Sequence, residues 1–70
     1  MADVTIVIDG GLSYQQTGAA LSAFEMSTRV KTRLNKGESL DLTLDNGVQV
    51  VVPAHAVRAV EIADTRKREG

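Results

Sequence analysis

The sequence has no cysteine and no tryptophan, and only one histidine, one proline, one phenylalanine and one tyrosine. Without cysteine there is neither a disulfide framework nor a thiolate metal site. A single imidazole does not build a histidine-based metal site, so no metal and no cofactor is expected. Charge of one sign is not in excess either: eight Lys and Arg stand against nine Asp and Glu, for a formal net charge of −1. That balance implies neither a nucleic-acid coat nor a polyanion mimic. The scarcity of aromatic residues leaves few platforms for stacking bases. No apolar run approaches the roughly 20 residues of a membrane span. Asp3 and Asp9, on either side of a short Val/Ile run, do not suit a signal peptide. A cytoplasmic location is expected, or the virion or host cytoplasm if the chain is phage-encoded.

What is present is 70 residues, enough for one domain. That domain is read as residues 1–64, followed by a charged, flexible tail, Thr65–Gly70. A chain of this size buries only about 60% of its unfolded surface, so its stability alone is marginal. With no covalent or metal staple, association with other copies is the remaining common remedy.

The clearest local pattern is Gly37–Ile62. Leu40, Leu42 and Leu44 alternate with Asp41, Thr43 and Asp45, and Val48, Val50 and Val52 alternate with Gln49 and Val51. Period two with one apolar face is the mark of half-buried strands. A two-residue Asn46-Gly47 turn would place the two apolar rows on opposite faces. A three-residue loop, Asp45-Asn46-Gly47, pairs Leu44 with Val48, Leu42 with Val50 and Leu40 with Val52. The apolar face decides the register, so this loop is predicted, with Gly47 in the left-handed region. Pro53 cannot donate to a ladder and should end the strand. Ala54–Val57 suits one 3₁₀ turn, and Arg58–Ala63 reads as the last strand. Val4–Ile8, broken by Asp9-Gly10-Gly11, reads as the first.

The same alternation extends upstream. Phe24, Met26, Thr28, Val30, Thr32 and Leu34 alternate with polar residues. A loop Asn35-Lys36-Gly37 would pair Thr32 with Leu40, Val30 with Leu42 and Thr28 with Leu44, extending the hairpin into a three-strand meander. A helix over about residues 18–35 competes, capped by Thr17 and ended by Lys36-Gly37. Ala19, Ala23, Met26, Val30 and Leu34 lie near one face of it, but Phe24 and Leu21 would then point the other way. The strand is preferred because it places Phe24 with the other apolar residues. Tyr14–Ala23 is read as a loop, with a short helix or turn compatible with either reading.

Candidate sites follow from this layout. Arg29, Lys31 and Arg33 would form a basic stripe on the outer face of the second strand, fit for phosphate or an acidic partner. They would equally be a solvated face that discourages edge association, with Lys31 opposite Asp41. Tyr14, Gln15, Gln16 and Thr17, next to Gly18, combine an aromatic, two amides and a hydroxyl in a predicted loop, the first place to look for a ligand or partner site. Val51 breaks the polar face of its strand and is an interface candidate. His55 lacks a recognisable nucleophile or carboxylate partner, so it is read as a rim contact and no catalytic residue is assigned. Asp9-Gly10-Gly11 lacks the spacing of a phosphate loop and is read as a turn.

The stretch L-D-N-G-V-Q-V-V-V-P-A-H-A-V-R-A-V-E-I resembles the hairpin, 3₁₀ turn and closing strand of SH3-like and Sm-like barrels in short bacterial and phage proteins. The resemblance covers roughly Phe24–Ile62 and is one of pattern. It carries over no site residue, since the Sm-type RNA-binding signature is absent. It implies an all-β, five-stranded barrel with a central meander, the alternative being an α+β fold with the helix on a small sheet. SH3-like barrels bind proteins, peptides or nucleic acid, and Sm-like ones form rings. The expectation is therefore a non-enzymatic interaction or assembly module, homo-oligomeric or bound to another protein. A nucleic-acid-binding Sm-like module and a nucleotide-binding regulatory or viral protein are the alternatives.

Overall fold

Ala2, Val4 and Ile6 alternate with Asp3, Thr5 and Val7 along the first strand, β1 (Ala2–Ile8), so the even positions are buried and the odd ones only half-buried. The computed structural model describes residues 1–64; the predicted tail, Thr65–Gly70, lies outside the described residues. β1 turns through Asp9-Gly10-Gly11 into β2 (Ser13–Ala19), with the Ile8 N–H donating to the Leu12 carbonyl at 2.9 Å and the Gly11 N–H to the Ile8 carbonyl at 3.1 Å. A helix follows, α1 (Ala23–Asn35). Then come β3 (Leu40–Thr43), β4 (Gln49–Val52), a 3₁₀ turn at Ala54–Ala56 and β5 (Val57–Asp64).

The strands form two antiparallel sheets, one in the order β2-β1-β5 and one made of β3 and β4 alone. The predicted hairpin register is present: Leu40 pairs with Val52 and Leu42 with Val50. The Leu44 N–H donates to the Val48 carbonyl at 2.8 Å, and the Gly47 N–H closes the three-residue loop on the Leu44 carbonyl at 2.9 Å. Gly47 has φ +85°, the left-handed region that such a loop demands.

The predicted strand Phe24–Leu34 does not form, and with it go the meander and the pairs Thr32–Leu40, Val30–Leu42 and Thr28–Leu44. The segment takes the competing form, a helix packed on a sheet. Its start is Ser22, not Thr17. Ser22 Oγ accepts from the Glu25 N–H at 3.2 Å while Glu25 Oε1 accepts from the Ser22 N–H at 3.4 Å, a reciprocal capping box. Asp64 on β5 adds a third contact, its Oδ1 accepting from the Ala23 N–H at 2.8 Å. The other end of α1 also differs from the expectation. Asn35-Lys36-Gly37 is no hairpin loop but a helix C-terminus, in which the Gly37 N–H reaches the Leu34 carbonyl at 3.0 Å and the Glu38 N–H the Arg33 carbonyl at 2.9 Å. Gly37 has φ +72°. A glycine in the left-handed region serves a bulged hairpin and a helix stop equally well, so its presence alone does not separate them.

Tyr14–Gly18, predicted as a loop, lies in β2. The two sheets also fail to close into a barrel among the described residues. No backbone ladder joins β2 to β3; side chains bridge the seam instead. Thr17 Oγ1 donates to Asp45 Oδ1 at 2.9 Å, and the Thr43 N–H donates to Gln16 Oε1 at 3.4 Å.

The buried hydrophobic side chains among the described residues are Ala2, Val4, Ile6, Ala19, Leu40, Leu42 and Val52. Val4 and Ile6 on β1 meet Leu40, Leu42 and Val52 on the hairpin. Met26, Val30 and Leu34, one helical turn apart, cover them from α1. No helix residue is itself buried, while Phe24, at the first turn, is 81% exposed. The stability of α1 therefore depends heavily on its ends. Ser22→Ala should cost about 1 kcal/mol, the usual worth of an N-cap hydroxyl. Chemical denaturation followed at a helix-sensitive wavelength would register it as a lower midpoint with an unchanged slope.

Candidate functional site

Two surfaces combine shape with chemistry, one on each flank of α1. The first is a cleft of about 290 Å³ between α1 and the seam where β2 and β3 fail to pair. Its floor is apolar, built by Val4, Ile6, Leu40 and Leu42, and Met26 and Val30 wall it on the helix side. Arg29 and Arg33 stand on its rim. Residues four apart lie on the same helical face, so both guanidinium groups flank the same opening. Gln16 and Gln49 complete the lining with amides.

Arg33 is partly committed. Its Nη1 donates to the Ser39 carbonyl at 3.4 Å and stands 4.0 Å from Asp41 Oδ2. With both side chains well exposed, a pair at this separation is weak. It replaces the predicted Lys31–Asp41 pair, which needed the strand. Arg29 makes no hydrogen bond or ion pair with any described residue. Arg29, Arg33 and Asp41 leave the rim with one excess positive charge.

The seam adds backbone chemistry. Because Leu44 bonds to Val48, alternation in an antiparallel ladder turns Leu40 and Leu42 toward β4 and turns the N–H groups of Asp41 and Thr43 away from it, into the seam. The Thr43 N–H accordingly finds Gln16 Oε1. The Asp41 N–H points the same way with no partner from β4.

The second surface is a crevice of about 270 Å³ between α1 and β5, lined by Val30, Leu34, Val57, Val60 and Ile62, with Lys31 at its edge. β5 is an edge strand. The Ile8 N–H bonds to Leu12 on the β2 side, and the Asp9 N–H bonds to the Ala56 carbonyl on the β5 side. The odd residues of β1 thus face β5. Opposite them stand Ala59, Glu61 and Ala63, which turn their backbone groups inward. The N–H and C=O groups of Val60 and Ile62 therefore project from the free edge.

No protein-family model, curated protein or solved structure matches the chain. Geometry alone distributes the residues singled out from sequence. Gln16, Arg29 and Arg33, expected in two separate sites, meet in the first cleft. Lys31 leaves the predicted stripe: two residues from Arg29 on a helix is a rotation of about 200°, and it lines the other crevice. Tyr14 is half-buried on the inner face of β2 and packs against the core. Gln15 is exposed on the outer face of β2, and the Thr17 hydroxyl is engaged with Asp45. Val51 lies on the outer face of the hairpin, 64% exposed. His55 is exposed in the 3₁₀ turn and makes no hydrogen bond or ion pair with any described residue. Gln49, Thr43 and the backbone of Asp41 were missed. The predicted loop was the signal for Asp41 and Thr43, since pairing Leu44 with Val48 turns the backbone groups of the alternate residues of β3 away from β4.

Proposed function

We propose that this chain is a non-enzymatic assembly module that associates with copies of itself through the free edge of β5. One observation carries the reading: an eight-residue edge strand whose outward N–H and C=O groups lie beside an apolar crevice. Exposed strand edges are templates for further pairing unless they are blocked. β5 carries no proline and no inward-pointing charge along Ala59–Ala63, where such a block would be expected. A core this small gains from any additional burial.

Antiparallel pairing about a two-fold axis has a preferred register here. Centring on Glu61 sets two carboxylates opposite each other. Centring on Val60 sets Ala59 of one copy opposite Glu61 of the other and lets the two Val60 residues exchange both backbone hydrogen bonds. The second is favoured. The reading does not rest on the resemblance to SH3-like and Sm-like barrels, one of whose meander strands is here the helix α1. The basic-stripe reading, by contrast, finds its three cations divided between two surfaces.

Native mass spectrometry, with absorbance at 260 and 280 nm on the same sample, tests the proposal. A dimer or closed ring without extra mass is expected. A monomer mass that does not change across a hundredfold range of concentration would overturn it, and excess mass with strong 260 nm absorbance would transfer the function to a bound nucleotide or nucleic acid. Among the described residues no helix is long and apolar enough to cross a membrane.

A further inference from the structure

We infer that the cleft between α1 and the β2–β3 seam is a binding site for a small amphiphile, an apolar body carrying one carboxylate or phosphate group. Three independent features of the cleft converge on that chemistry, and none depends on self-association through β5.

The first is shape. A space of about 290 Å³ with a floor of Val4, Ile6, Leu40 and Leu42 stands near the lower end of the range for small-molecule sites, which are typically apolar with a few convergent polar groups. That floor is already closed to water, since Val4, Ile6, Leu40 and Leu42 are at most 5% exposed, so the apolar part of a ligand would rest on the half-buried Met26 and Val30 above it.

The second is charge. Arg29 has no partner among the described residues, and Arg33 has only a carbonyl at 3.4 Å and a carboxylate at 4.0 Å. Two guanidinium groups one helical turn apart, with a single weakly held counter-charge, favour an anion at the mouth. A planar guanidinium grips carboxylate and phosphate through two parallel N–H donors.

The third is the open edge of β3. The N–H of Asp41 projects into the seam, and that of Thr43 is satisfied only by a long bond to Gln16 Oε1. These are backbone donors held in place by the β3–β4 ladder. A head group held by Arg29 and Arg33 would have a backbone donor within the same opening while its apolar part lies along Met26 and Val30.

The test uses the full chain, with amide chemical shifts followed during titration by octanoate, octyl phosphate and octanol. Octanoate or octyl phosphate is expected to shift the amides of Gln16, Arg29, Arg33, Asp41 and Thr43 together, and whichever binds more tightly identifies the head group. Octanol should bind about tenfold or more weakly, the scale of one charge-assisted hydrogen bond. Arg29→Ala, an exposed position whose loss leaves the core intact, should weaken the anionic ligands about tenfold without changing octanol. Arg29→Lys should recover part of the loss. Equal binding of octanol and the anions would overturn the assignment, as would shifts scattered away from the cleft or an Arg29→Ala variant that binds as the parent does.

Discussion

Replacing Ile6 by alanine is expected to be the most destabilising single change in the chain. Ile6 is fully buried, on the central strand of the β2-β1-β5 sheet. It packs in the cluster that holds the hairpin onto that sheet. Truncation removes the transfer free energy of three carbons and leaves a cavity that two sheets and a helix cannot all collapse into, for a loss of about 2–5 kcal/mol. A domain of this length has in total roughly 4–10 kcal/mol, so the variant should be partly unfolded near physiological temperature. Its thermal midpoint, followed by far-ultraviolet circular dichroism, should fall on the order of 10–25 °C. Phe24→Ala makes the contrast. A phenylalanine in a core is usually worth as much as an isoleucine, yet Phe24 is 81% exposed, and its loss should change stability by no more than about 0.5 kcal/mol. A larger loss for Phe24→Ala than for Ile6→Ala would mean that Phe24 belongs to the core, as a strand over Phe24–Leu34 would have it, and would sink the helical account of α1.

Val60→Pro should abolish self-association while leaving the fold in place. The Val60 N–H points away from β1, so proline removes no hydrogen bond of the β1–β5 ladder; proline is tolerated on an edge strand for this reason. In the register centred on Val60 the same N–H is used twice across the two-fold axis. Proline removes both donors and sets two rings against the facing carbonyls. Val60→Ala is the matched control, because it loses the same packing against the core but keeps the N–H. Val60→Pro is expected to run as a monomer at every concentration, and Val60→Ala as an oligomer with a somewhat lower melting temperature. If both variants keep the parent's mass, association uses another surface, such as the exposed outer face of the hairpin around Val51.

The hairpin was legible in the sequence to the residue. The three-residue loop puts Leu40, Leu42, Val50 and Val52 on one face, whereas the two-residue alternative, a one-residue slip, would turn one strand's apolar row to the opposite face. The helix was legible too, but with its cap expected at Thr17 rather than at Ser22, where a capping box stands. Ser22-Ala23-Phe24-Glu25 is a capping-box sequence, and Met26, Val30 and Leu34 recur at helical spacing. Against these stood the assumption that the chain's one phenylalanine must be buried. Burial of large apolar residues is a tendency with many exceptions, whereas a reciprocal cap satisfies backbone donors that otherwise stay unpaired. β2 was hidden for a different reason. Ser13-Tyr14-Gln15-Gln16-Thr17-Gly18 lacks an apolar alternation because its outer face is exposed and its inner face is shared between Tyr14 and a glutamine that bridges the seam.

Local pattern by itself determined the strands β1, β3, β4 and β5, the 3₁₀ turn after Pro53 and the turns at Gly10-Gly11 and Gly47, because period, proline and left-handed glycine act within a few residues. Tertiary structure alone decided that Gln16, Arg29 and Arg33 share a cleft, that Lys31 faces away from it, and that β2 and β3 stay unpaired. These depend on how α1 lies across two sheets, and that is set by the volume of the side chains between them. The two sheets stay separate, and Gln16 and Thr17 cross the seam between them with side chains rather than backbone. The same gap that denies the fold a ladder leaves the cleft its donors.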